Sequence, residues 1–241
     1  KQMIEFLKRK GVFDHLKAHV IVGNYRHQYY LAHKDFYDNL AEREIGRHLN
    51  PENRTLLYAP TWKDYEDSSS FDKALIPMIE KLPPGNNLIV KLHPNLLFQE
   101  EFAIDRIIDK YSGRDNLLFL NEFPPVFPVL NQCDAYIGDM SSIGYDFLLF
   151  NRPMFFLNAQ SRSKEDAGLY LYRCGVEVKP EKFTQIYQEI EHYYQFELRD
   201  FTQIRKDVYD YAFAPPRPFE QIKSAIEHSY SQFPDPELNF F

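Results

Sequence analysis

The sequence predicts an α/β fold built on a doubly wound parallel sheet. Short apolar runs recur along the chain, each ends abruptly at Gly, Pro or a polar residue, and helix-compatible stretches separate them. Runs that are apolar at successive positions belong to strands covered by helices on both faces, not to a sheet with one wet face.

The first run, residues 18–23 (AHVIVG), reads as a buried parallel strand ending in glycine, and residues 34–48 read as a helix. Residues 55–59 are a second strand, stopped by Pro60. The polar DYEDSSSF loop leads into a helix over 71–81, with Ser70 at the N-cap position. PPGNN then precedes a strand over 88–92, which His93-Pro94 ends. Phe98, Phe102, Ile104, Ile107 and Ile108 recur at helical spacing, so residues 97–111 form a helix closed by Ser112-Gly113. A strand over 116–120, a short helix over 125–131 and a strand over 135–137 bring the chain to Gly138-Asp139-Met140-Ser141-Ser142. A helix then runs to Phe150, and NRPMFFLN supplies one more strand. From Phe183 the pattern is helical, in two amphipathic stretches (FTQIYQEIEHYYQFEL and residues 201–211), until the Pro-rich residues 214–218 break it. The expected division is a lead-in over 1–50, a nucleotide-binding domain over 51–182 and C-terminal helices with a tail over 183–241.

Composition narrows the function classes. With 44% apolar and 26% charged residues the chain is an ordinary globular one, and 241 residues suffice for one large domain or two small ones. A formal charge of −7 argues against a general nucleic-acid binder, which needs clustered basic residues in excess. Cys133 and Cys174, the two cysteines, are too few for a disulfide framework, which fits a reducing compartment and leaves a single bridge as the alternative. No run reaches the roughly 18 apolar residues of a membrane span and no secretory signal is visible. The expected location is therefore cytoplasmic. The chain starts at Lys1 inside an apolar and basic segment, which reads as part of a longer protein.

In open parallel sheets ligands bind outside the carboxyl ends of the strands. Three places qualify: Thr61-Trp62-Lys63, His93, and the 139–142 turn. That turn joins a strand to a helix, so unpaired backbone N–H groups near Ser141 and Ser142, with two hydroxyls, form an anion cradle. The plainer reading is that Asp139 or Ser141 merely caps the helix. A histidine held extended before Pro94 can donate to a phosphate or act as acid or base near neutral pH, or can serve structure alone. Lys63 can add charge to a phosphate, whereas Trp62 by itself reads as packing at the sheet edge. His15, His19, His27, His33 and His48 show no metal-ligand spacing, so neither metal nor cofactor is expected. Ser141 and Ser142 lack a Gly-x-Ser-x-Gly elbow, which weighs against a serine nucleophile. Tyr193, Tyr194 and Phe196 read as core packing, with a membrane-surface or partner contact as the alternative.

Taken together, LLYAPTWKD, KLHPN and CDAYIGDMSSIGYDFLLFNRPMFFLN resemble the C-terminal half of the CDP-glycerol glycerophosphotransferase family, which includes teichoic acid primases and polymerases. Gly23-Asn24-Tyr25-Arg26 is similar to a Gly-x-x-Arg turn just upstream in that family, which adds Arg26 to the candidates. The resemblance implies the Rossmann-like half of a GT-B architecture, with the missing N-terminal domain of the same protein as partner. It implies transfer of glycerol phosphate from CDP-glycerol to an acceptor hydroxyl on a polymer or lipid-linked acceptor. It extends the expected location to the inner face of the cell membrane, as a peripheral protein. By this resemblance His93 is an active-site residue near the donor diphosphate, Ser141 and Ser142 hold phosphates, Asp139 orients their turn, and Thr61 faces the same cleft. Two departures stand out: the family's Trp-His-Gly segment has no counterpart here, and an expected Arg-Gly pair appears as Ala167-Gly168 with Arg173 shifted. A nucleotide-sugar glycosyltransferase and a non-catalytic interaction module are the competing functional readings.

Overall fold

A computed structural model describes residues 2–63, 65, 68–121, 123, 125–163, 165, 170–213 and 215–232. The chain forms two compact units, one running from Lys34 to Val208, the other combining residues up to His33 with those from Tyr209 onward.

The unit from Lys34 to Val208 holds an all-parallel sheet. Its strands, six among the described residues, are β1 (Arg54–Ala59), β2 (Asn86–Val90), β3 (Leu117–Phe119), β4 (Ala135–Gly138), β5 (Met154–Leu157) and β6 (Val176–Val178). They lie in the order β3-β2-β1-β4-β5-β6. This is the order of doubly wound sheets, in which successive connections run outward in opposite directions from the β1/β4 boundary. The predicted fold class is therefore the observed one.

Helices α3 (Lys34–Glu44), α4 (Phe71–Glu80), α5 (Pro94–Gln99), α6 (Glu101–Tyr111), α7 (Val126–Asn131) and α8 (Ser142–Phe147) belong to the same stretch of chain, as does α9 (Ile186–Ala212) up to Val208. Strand side chains alternate between the faces. Leu56, Tyr58, Leu88, Val90, Ile137 and Phe155 form one core cluster with Phe71, Leu75 and Met78 of α4, Ile104 of α6 and Ile186 and Ile190 of α9. Leu57, Ile89, Tyr136 and Phe156, the intervening residues, are fully buried as well. Burial on both faces explains why the strands read as unbroken apolar runs.

A buried ion pair fixes α9. Glu197 and Arg205 are each 0% exposed at the side chain and pair with one another. Glu197 also accepts from the backbone N–H of Met154 (3.0 Å), and Arg205 donates to Asn151 Oδ1 (2.8 Å) and the Cys174 carbonyl (3.1 Å). The pair thus ties the helix to the chain entering β5 and β6.

Several local expectations are corrected. Residues 18–23 are not a strand: they are irregular, Ile21 is 37% exposed, and Gly23 takes φ 66° before Asn24 caps α2 (Tyr25–Ala32) by accepting from His27 N–H (3.2 Å). An apolar run becomes a strand only where a ladder partner exists, and among the described residues none pairs with this one. The helix expected over 97–111 is two helices, broken at Glu100 (φ −125°, ψ 25°). The two helical stretches after Phe183 are one, α9, preceded by a 3-10 turn at Pro180–Gln185. β6 was not expected at all. Ser70 precedes α4 but caps nothing with its side chain; its hydroxyl bonds the buried Tyr58 hydroxyl (2.9 Å). Tyr194 packs against the core with Arg54 over its ring (4.0 Å), while Tyr193 and Phe196 are exposed.

The other unit contains α1 (Gln2–Arg9), α2 and α10 (Phe219–Gln232). Within it the Asn24 amide approaches the Tyr209 hydroxyl (3.4 Å), and the Tyr211 hydroxyl donates to Glu5. Among the described residues no helix is long and apolar enough to cross a membrane.

Candidate functional site

The strand register brings the three predicted segments together. Ala59 of β1 pairs with Gly138 of β4, and Tyr58 pairs with Val90 of β2. Residues 60–63, 91–93 and 139–142 therefore leave the sheet from neighbouring strands, at the β1/β4 boundary where doubly wound sheets open a crevice.

Asp139 organises this edge. It is 0% exposed, and its Oδ2 accepts from the backbone N–H of Thr61 (2.9 Å) and of Ser70 (3.0 Å). The Ser69 hydroxyl adds a bond to the Thr61 carbonyl (2.8 Å) and accepts from Phe71 N–H (3.3 Å). One carboxylate thus holds both ends of the β1–α4 connection to the end of β4, and Thr61 sits buried in the seam at 8% exposure.

Under the turn lies Tyr136. Its hydroxyl donates to the Asp139 carbonyl (3.2 Å) and bonds Ser141 Oγ (3.1 Å). A phenol has one proton, so with that proton on the carbonyl the serine hydrogen points at the phenol. Ser141 Oγ in turn accepts from Gly144 N–H (3.4 Å) as the N-cap of α8. The capping alternative is therefore realised for Ser141, while Ser142, the first residue of α8, is exposed. Glycine at 138 is required, because a Cβ there would lie 2.4 Å from the Tyr136 hydroxyl and 2.6 Å from the Ala59 carbonyl.

His93 is the N-cap of α5, its Nδ1 accepting from Asn95 N–H (3.1 Å). A neutral ring that accepts at Nδ1 carries its proton on Nε2. Burial pushes the imidazole below its usual range. Near neutral pH His93 is therefore a hydrogen-bond donor through Nε2 and has no free lone pair with which to take a proton. The Trp62 ring lies beside it, centroids 6.5 Å apart, while also packing on the core.

Lys63 is already paired. Its ammonium lies 2.9 Å from Asp72 and 2.7 Å from Glu100. Burial would lower its pKa, but the hydrogen bonds to Glu100 and Asp72 outweigh this and raise it. Gln99 Nε2 also donates to the Lys63 carbonyl (3.2 Å), so the residue stitches the loop to the α5–α6 break. A cation that the sequence reading passed over, Lys91, directly follows β2 and donates to the Phe123 carbonyl (3.0 Å). Its position as the first polar residue after an apolar strand was a usable signal. Arg26 lies in α2, within the other compact unit. Arg173 pairs with Glu165 (2.9 Å), and Ala167-Gly168 lie outside the described residues. Among the described residues no group of three or more His, Cys, Asp or Glu is arranged to hold a metal ion. An open depression lined by Asn50, Asn53, Arg114 and Asn116 lies where the chain enters β1 to β3, at the opposite sheet edge.

Residues 8–173 match the model of the CDP-glycerol:poly(glycerophosphate) glycerophosphotransferase family. The teichoic acid glycerol-phosphate primase of Bacillus subtilis (strain 168) is 32% identical over 118 residues, which cover 48% of this chain and 28% of the primase. The teichoic acid poly(glycerol phosphate) polymerase of Staphylococcus epidermidis is 31% identical over 131 residues, 52% of this chain and 17% of the polymerase. The aligned region thus spans under a third of either relative. A variant of the wall teichoic acid polymerase TagF shares the fold with TM-score 0.59 at 16% identity, over 95% of this chain and 55% of that one. Anabaena HepE in complex with UDP-glucose shares it with TM-score 0.50 at 13% identity, over 81% and 52%. At such identities the likeness is one of fold, here the Rossmann-like sheet of GT-B-like enzymes. With more than half its length matched to the family model, this chain belongs to the CDP-glycerol:poly(glycerophosphate) glycerophosphotransferase family.

Proposed function

We propose that this chain supplies the donor-binding half of a transferase that moves glycerol phosphate, or a related polyol phosphate, from CDP-glycerol to an acceptor hydroxyl of a cell-surface polymer or its lipid-linked precursor. The observation that carries this reading is that the family match over residues 8–173 contains all three strand-end segments that meet at the β1/β4 boundary. Residues 51–182 act as the nucleotide-binding domain, and the N-terminal domain of a longer protein is its partner. Nucleic acid is not a partner. The proposed location is the cytoplasm, with peripheral attachment to the inner face of the membrane.

In this reading the donor diphosphate lies across the carboxyl ends of β1 and β4. The backbone N–H and hydroxyl of Ser142 and the Nε2–H of His93 donate to its oxygens, Ser141 and Asp139 hold the turn, and Thr61 lines the cleft with Trp62 beside it. The acceptor oxygen bonds to the β-phosphorus as the bond to the bridging oxygen breaks, and CMP leaves with that electron pair. Such transfers depend on positioning and on stabilising phosphate charge. The acceptor's proton goes to a base that His93, with Nδ1 occupied, does not provide; that base belongs to the remainder of the longer protein.

Calorimetric titration of the chain with CDP-glycerol and with UDP-glucose tests the reading. The fold shared with HepE makes UDP-glucose the pertinent competitor. Preferential binding of CDP-glycerol is expected, and tighter binding of UDP-glucose overturns the reading in favour of a nucleotide-sugar glycosyltransferase.

A further inference from the structure

We infer that Lys91 is the counter-charge for the ligand's anionic group at the β1/β4 boundary, the diphosphate if the donor reading above is right. The inference rests on that reading for the ligand's identity, and on the geometry of the sheet edge for the rest.

Position comes first. The backbone N–H of Lys91 donates to the Tyr58 carbonyl (2.9 Å), so the β2–β1 ladder continues one residue beyond the strand. With Tyr58 opposite Val90 and Ala59 opposite Gly138, the residues Lys91, Ala59 and Gly138 form one row across three strands. Two strand spacings put the ends of that row roughly 10 Å apart. Alternation gives Lys91 the same sheet face as Ile89, Tyr136 and Gly138, the face from which α8 departs. Between Lys91 and that turn the row carries the small residues Ala59 and Gly138, and the Tyr136 hydroxyl fills the space beside Gly138.

Charge comes second. Lys91 is largely withdrawn from water, which lowers its pKa. Its partner is a neutral carbonyl, that of Phe123, and no carboxylate pairs with it among the described residues. Lys63, by contrast, has two carboxylates within 3 Å. A withdrawn ammonium without a counter-ion is costly to keep. An ammonium has three N–H donors, and the carbonyl takes one, which leaves two for phosphate oxygens. That cost is recovered as binding energy when an anion pairs with the ammonium. A lysine retained only for its stem, lying along apolar surface, would gain nothing from the charge.

The test uses the full chain with Lys91→Met, Lys91→Arg and Lys63→Met, each titrated with CDP-glycerol and with inorganic pyrophosphate at low and moderate salt, and each melted without ligand. Lys91→Met keeps the stem and removes the charge. It is expected to lose roughly tenfold or more in affinity for both probes, the scale of a charge-assisted hydrogen bond, to flatten the salt dependence, and to melt higher than the unaltered chain. Lys91→Arg is expected to retain most of the affinity, and Lys63→Met to stay within about threefold. Unchanged affinity in Lys91→Met, or a lower melting temperature, overturns the assignment and makes Lys91 a packing residue. Pyrophosphate binding that depends on Lys91 without CDP-glycerol binding supports the assignment and overturns the donor reading. Failure of the unaltered chain to bind either probe overturns both.

Discussion

The buried carboxylate of Asp139 accepts from the backbone N–H of Thr61 at 2.9 Å. With its second bond, accepted from Ser70 N–H, it ties both ends of the β1–α4 connection to the end of β4. Replacing Asp139 with Ala leaves two buried N–H donors without this acceptor. The expected cost is about 2–4 kcal/mol, since each such donor carries a desolvation penalty of about 1–3 kcal/mol. Urea unfolding of the two proteins measures it, and a loss under about 0.5 kcal/mol contradicts the clamp.

His93 gives a pH dependence with a definite sign. Its folded pKa lies below the unfolded value of about 6.5, because burial disfavours the imidazolium. The unfolded state therefore binds more protons in the interval between the two values. The contribution to stability is complete above about pH 6.5 and is lost as pH falls through the folded value. Protonation at Nδ1 also removes the acceptor that caps α5. Titration of the His93 ring by NMR should give a midpoint below 6.5, and a midpoint above it contradicts the assignment.

His93→Asn separates capping from ligand contact. Asparagine is a good N-cap acceptor, so α5 should survive and the melting temperature should change little. Donor affinity should fall, because the Nε2–H is gone. An unchanged Kd for CDP-glycerol would show that His93 serves the helix alone.

Gly138→Ala should be destabilising by about 1–3 kcal/mol through overpacking, because the added Cβ meets both the Tyr136 hydroxyl and the Ala59 carbonyl. Combining it with Tyr136→Phe removes the hydroxyl but leaves the ring carbon that carried it (2.7 Å) and the Ala59 carbonyl. Thermal melts should therefore show partial rescue in the double variant; complete additivity of the two losses would mean that the phenol does not occupy this space.

Removing one member of the buried Glu197–Arg205 pair should cost about 3–5 kcal/mol, because the other is left charged in the interior. Arg205→Met alone should be worse than Arg205→Met with Glu197→Leu. Denaturant midpoints decide it, and the opposite ranking would show that a lone buried Glu197 costs less than the loss of its bond to Met154 N–H.

The fold and the outline of the site were legible because both depend on short-range pattern. Apolar runs ending at Pro60, His93 and Gly138 mark strand ends, and in a parallel sheet all strand ends share one edge, so Thr61, His93 and Asp139 were predictable neighbours. The same logic misread residues 18–23, since an apolar run looks alike with and without a ladder partner, and it missed β6, whose Val-Glu-Val is too short to show alternation. That Lys63 is neutralised by Asp72 and Glu100 was not legible, because those contacts form only in the folded chain.

By itself the sequence determined the alternation of strands and helices, the residues delivered to the carboxyl edge, and, by resemblance, the family. Those are properties of local periodicity and of connectivity, which the chain carries whether or not it is folded. Only the tertiary structure decided which charges are neutralised, which serine caps and which is exposed, and which nitrogen of His93 holds the proton. Each of these depends on partners fixed by packing, such as Glu100 for Lys63, Tyr136 for Ser141 and the folded α5 turn for His93. At the carboxyl edge the sequence supplied the polar groups, and burial and pairing decided which of them remain able to meet a ligand.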